Sequence, residues 1–80
     1  MDTVPTLREL LDERRFPIDA AALLADVDPS AVSRWRSGQA RPRPTSLIRL
    51  AQGLGISVTR MRKIIDRTMA EATQDGEIAP

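Results

Sequence analysis

Proline and glycine cut this chain into short pieces, at Pro17, Pro29, Gly38, Pro42, Pro44 and Gly55. Proline cannot continue a helix, and a glycine that swings into the left-handed conformation stops one. Up to Gly55 the chain therefore has room only for helices of two or three turns. The pieces have helical rather than alternating periodicity. Thr6-Leu7-Arg8-Glu9 has the form of a capping box, and Leu7, Leu10 and Leu11 follow at helical spacing, which predicts a first helix over 6–15. Pro17 suits a first helical turn and opens a second helix over 17–25, rich in alanine so that a neighbour can approach closely. Asp26-Val27-Asp28 is a tight turn. Asp28 as N-cap and Pro29 as first helical residue start a third helix over 29–37, which Gly38 ends. A loop from Gln39 to Pro44, stiffened by its two prolines, leads to Thr45 as the cap of a fourth helix that Gly55 stops. Ser57 caps a fifth, extending to about Gln74, and 75–80 reads as a flexible tail behind a 1–74 domain.

Phe16 and Trp35 are the only aromatic residues among 80, so the core has to come from Leu, Ile, Val, Met and Ala, which favours helix packing. The expected fold is all-α, a compact five-helix bundle. In the third helix Ala31, Val32 and Trp35 take core spacing; in the fourth, Leu47, Ile48, Leu50, Ala51 and Leu54 make a broad apolar face. Cysteine and histidine are absent, which excludes disulfides, Cys/His zinc sites and thiol or histidine catalysis. No signal peptide and no apolar run of bilayer length is present, so a cytoplasmic protein with no membrane association is expected.

The net charge of +1 hides an uneven distribution. From Pro29 to Ile65 there is no Asp or Glu, while Arg34, Arg36, Arg41, Arg43, Arg49, Arg60, Arg62 and Lys63 supply eight of the twelve basic residues. One face should be electropositive, the footprint of a polyanion partner. The bland reading of such a run is a solvated charged surface.

Two short helices joined by a three-residue turn form a helix-turn-helix, whose second helix enters the DNA major groove. Here IDAAALLADVDPSAVSRWRSGQARP, followed by LIRLAQGLGIS, resembles the phage-repressor-like family of lambda and 434 repressor, Cro and the XRE-type regulators. That family has the pattern A-x-x-L-G-V-S-x-x-x-I-S-x-W-E-x-G, then a basic loop with proline and L-x-x-L-A-x-x-L-G-V-S. The likeness covers about residues 6–65. It departs where Pro17-Ile18 replaces the usual Ser-Gln, and where Ala25 and Asp26 replace the Leu-Gly before the turn.

With Val32 and Trp35 facing the core, Pro29, Ser30, Ser33 and Arg34 are left to face outward, and the family's groove-reading positions fall on the same places. Arg34 is the expected base reader, donating two hydrogen bonds to guanine; a phosphate contact or a solvated side chain is its alternative. Trp35 could stack on a base, but its spacing points to packing. Arg36, Ser37, the Gly38 amide, Gln39, Arg41 and Arg43 are expected along the phosphate backbone. Six neutralised phosphates would give a salt dependence of slope about −5.

No catalytic constellation, metal site, cofactor site or small-molecule site is evident. The fifth helix carries an apolar stripe of Val58, Met61, Ile64, Ile65, Thr68, Met69 and Ala72, longer than packing on the first and fourth helices should need. Ile65, Met69 and Ala72 are therefore expected to pair two copies in a homodimer. The reading that results is a sequence-specific double-stranded DNA-binding transcriptional regulator, a phage or bacterial repressor. An antitoxin or small-operon autoregulator on the same fold, and a helical interaction module without DNA, are the alternatives.

Overall fold

The structure, a computed structural model, describes residues 4–77. Among these residues are five helices and no strand: α1 Leu7–Glu13, α2 Ile18–Ala25, α3 Pro29–Ser37, α4 Pro44–Leu54 and α5 Val58–Glu77.

The helix starts follow local chemistry. At α1 the Thr6 hydroxyl accepts from the Glu9 amide at 3.2 Å, and the Glu9 carboxylate accepts from the Thr6 amide at 2.9 Å, a closed capping box. The Ser57 hydroxyl likewise accepts from the Arg60 amide at 3.1 Å to start α5. Two expected starts differ, at α2 and α4, and a third, at α3, lacks its expected cap bond. Pro17 lies just before α2, in extended backbone, rather than in its first turn. Asp28 holds the N-cap position of α3 but makes no side-chain cap bond; the Ala31 amide goes to the Asp28 carbonyl at 2.9 Å instead. Thr45 is inside α4, because Pro44 takes the first helical position and Arg43 precedes it as the extended cap residue. Proline has no amide to satisfy there, so a capping side chain one residue later is not required.

The first four helices end by one hydrogen-bond pattern. Phe16, Val27, Gln39 and Ile56 donate back to the carbonyls of Leu11, Ala22, Arg34 and Ala51 at 2.8–3.0 Å, with a left-handed residue just before each donor. Gly38 and Gly55 supply that residue for α3 and α4, as expected, at φ of 80° and 73°. Arg15 and Asp26 supply it for α1 and α2, at φ of 53° and 60°. Hence α1 stops at Glu13 instead of running to residue 15.

The core is the aliphatic one the composition requires. Leu7 and Leu11 of α1, Val32 of α3, Leu50 of α4, and Met61, Ile64 and Ile65 of α5 are its most enclosed large side chains. Trp35 is buried beside them. The buried residues of α2 are all alanine (Ala21, Ala22, Ala25), so α2 lies close on α3 and α4. Leu24 crosses Gly53 in α4, at a spot where a Cβ would collide with it. Of the α4 face, Ile48 remains exposed.

Helix α5 packs on α1, α3 and α4 and continues to Glu77, three residues past its expected end. Residues 78–80 of the expected tail lie outside the described residues. Thr68, expected as one more apolar residue of the stripe, is a buried junction. Its hydroxyl accepts from the Leu7 amide and donates to the Ile64 carbonyl, each at 2.8 Å. The three residues expected to pair two copies pack within their own chain. Ile65 is 1% exposed within its own chain, Met69 packs against the core, and Ala72 lies against Gly38 of α3. These residues are turned inward because α5 covers α3 as well as α1 and α4.

Candidate nucleic-acid interface

A residue advances about 100° around an α-helix, so once Val32 and Trp35 are in the core the rest of α3 is determined. Ser30, Ser33 and Ser37 form an exposed ridge opposite them. Arg34 and Arg36 flank Trp35 in sequence yet point about 160° apart around the axis. Arg34 is exposed beside the serine ridge, and so is Pro29 at the helix start. Arg36 is half-buried on the other flank, in a cleft with Leu11, Asp12, Arg15 and the 16–18 segment that enters α2. A second cleft joins it to Arg8 of α1 and Glu71 of α5. Arg15 and Arg8, which composition alone did not single out, thus stand next to an expected site residue through the packing of α1 on α3.

The arginines fall into two sets. Among the described residues the guanidinium groups of Arg34, Arg36 and Arg43 have no hydrogen bond or ion pair. Arg41 and Arg49 are tied: Arg41 Nη2 to Asp66 Oδ1 at 2.7 Å, and Arg49 Nη1 to Asp26 Oδ2 at 3.4 Å. Arg43 and Arg49 share a cleft with Ala25, Asp26 and Val27, which places free Arg43 beside the turn that leads into α3. Thr45, exposed, lines the same cleft; once Pro44 is recognised as the first helical residue, this position is legible from the sequence.

The loop between α3 and α4 is anchored by Pro42, which is buried, and by Ala40 against the core. Gln39 and Arg43 extend into solvent from this anchored stretch. Two expected phosphate donors are otherwise engaged. The Gly38 amide is bonded to the Trp35 carbonyl at 3.2 Å, because it closes the end of α3, and Gly38 itself sits against α5. The Ser37 hydroxyl donates to the Arg34 carbonyl at 3.2 Å, an exposed bond that a rotating hydroxyl can exchange.

No cluster of acidic side chains able to hold a metal ion occurs among the described residues. Nor is any helix within them long and apolar enough to cross a membrane. The exposed serine ridge with free guanidinium groups beside it has the charge and side-chain size to enter a groove in a polyanion. A family model described as helix-turn-helix matches residues 7–61, from the first residue of α1 into the first turn of α5. No curated protein and no solved structure matches the chain.

Proposed function

Because the chain belongs to the XRE-type helix-turn-helix family of DNA-binding regulators, we propose that it is a repressor that occupies a specific operator and blocks transcription from it. Helix α3 enters the major groove by its serine ridge. Small side chains at Ser30 and Ser33 let the helix backbone approach the base edges, while Pro29 adds an apolar contact at its tip. Arg34 reads guanine through O6 and N7, a bidentate contact that discriminates between bases by about 1–3 kcal/mol. Arg36, Ser37, Gln39, Arg41 and Arg43 hold phosphates on either side of the ridge, with no sequence information of their own.

The observation that carries this reading is the division of α3: Val32 and Trp35 lock one side into the core, and unpaired Arg34 stands beside the exposed serines on the other. Selection of bound sites from random duplex DNA tests it. A defined motif is expected, and Arg34→Ala should relax it at a single base pair. A motif unchanged by that substitution removes Arg34 from base reading. An absence of salt-sensitive binding to any duplex overturns the DNA interface as a whole.

A further inference from the structure

We propose that Asp66 is a built-in competitor for DNA: its carboxylate occupies, in the free protein, a phosphodiester subsite on Arg41. The inference rests on the loop between α3 and α4 being part of the DNA interface. From Pro29 to Ile65 the chain excludes every acid, and Asp66 is the first to follow. Folding returns it across 25 positions of sequence to the middle of the basic loop, at 2.7 Å from Arg41 Nη2. Among the described residues it is the acid that forms an ion pair with this loop; Glu71, the next one along, is taken by Arg67 one turn earlier on α5 itself.

An anionic carboxylate oxygen at 2.7 Å from a guanidinium nitrogen has the charge and the hydrogen-bond geometry of a phosphate oxygen in the same place. Both side chains are at least half exposed (50% and 63%), so the pair is reversible and open to exchange. A pair this exposed shifts an equilibrium by about five-fold or less. DNA reaching Arg41 has to displace Asp66, or else bring a phosphate up against a carboxylate. In either case the docking of Arg41 is weakened for every DNA sequence, while base reading by Arg34, which Asp66 does not touch, is left as it is.

The test is a double-mutant cycle on the whole chain, with random-sequence duplex DNA titrated at several salt concentrations. Asp66→Asn keeps the shape of the side chain and removes the charge. It should tighten binding by about two- to five-fold at low salt, and the gain should shrink as salt rises. Arg41→Ala should then weaken binding more in the Asp66→Asn background than in the unaltered chain. Arg62 and Lys63 lie one turn before Asp66 and also lose a neighbouring negative charge, so the cycle is needed to isolate the share of Arg41. Glu13→Gln, at the exposed end of α1, controls for net charge alone.

Weaker binding by Asp66→Asn, with Arg41→Ala costing less in that background, would overturn the competitor role and show that Asp66 presents Arg41 to DNA. Equal gains from Asp66→Asn and Glu13→Gln, with no coupling to Arg41, would overturn it as well, while leaving the DNA interface intact. If neither the unaltered chain nor any variant binds duplex DNA at low salt, the interface itself fails and the inference falls with it.

Discussion

Helices α3 and α2 stop by the same pair of backbone bonds, yet one ends on glycine and the other on aspartate. Gly38 stands where no other residue fits: its φ is 80°, an added Cβ would collide with Ala72, and the Thr68 carbonyl oxygen would be 3.0 Å away. Asp26 adopts φ of 60° with its side chain in solvent, 3.4 Å from Arg49. Arg15 and Gly55 extend the comparison. Gly55 has a φ of 73° with nothing within 4 Å of its missing Cβ, and Arg15 has a φ of 53° at the end of α1. Left-handed backbone alone is tolerable for an ordinary residue. Only at Gly38 does tertiary packing add to it, because there the end of α3 is pressed against α5.

That ordering can be broken by substitution. Gly38→Ala should be the most damaging, losing about 3 kcal/mol or more from backbone strain and overpacking together, read as a fall in the urea midpoint. A loss under about 1 kcal/mol would mean that α5 gives way freely and does not position α3. Gly55→Ala should lose about 1–2 kcal/mol, the strain term by itself. Arg15→Gly should gain about 0.5–1 kcal/mol, since it relieves that strain and returns part of it as unfolded-chain entropy. Asp26→Gly should change least, within about 0.5 kcal/mol, because aspartate tolerates this conformation and the substitution also removes an exposed ion pair. Equal effects at Gly38 and Gly55 would show that the contact with Ala72 has no energetic weight.

The Gly38 contact also ties stability to the interface. Gly38 follows directly on Ser37 at the end of the exposed ridge, and Thr68, whose carbonyl it meets, bonds the start of α1 through its hydroxyl. One turn of α5 thus sets both α1 and α3, and the cleft holding Arg36 lies between those two helices. A change in α5 that leaves the ridge untouched would still move Arg8 and Arg15, at α1, relative to Arg36 and the ridge of α3.

Much of this was legible before folding was considered. The capping box at Thr6, the cap at Ser57 and the glycine stops at Gly38 and Gly55 all rest on interactions within a few residues, and the spacing of Val32 and Trp35 marked them for the core. The outward set of Pro29, Ser30, Ser33 and Arg34 followed from periodicity once the core residues of α3 were assigned. What could not be read locally depended on neighbours distant along the chain. The stripe ending in Ile65, Met69 and Ala72 read as longer than packing on α1 and α4 needs, because nothing local shows that α3 also lies against it. Gly38 offered an amide to phosphate only until its own helix end claimed it.

The number and order of the helices, the stops at Gly38 and Gly55, the apolar side of α3 and the acid-free middle of the chain could all be read from the residues alone, since caps, periodicity and charge are local or additive. Tertiary structure decided which of the arginines remain free. Arg34 and Arg43 stay unpaired while Arg41 is held by Asp66 and Arg49 by Asp26. An ion pair needs two groups within about 4 Å, and only the packing of α5 and α2 against the basic segment brings those carboxylates there.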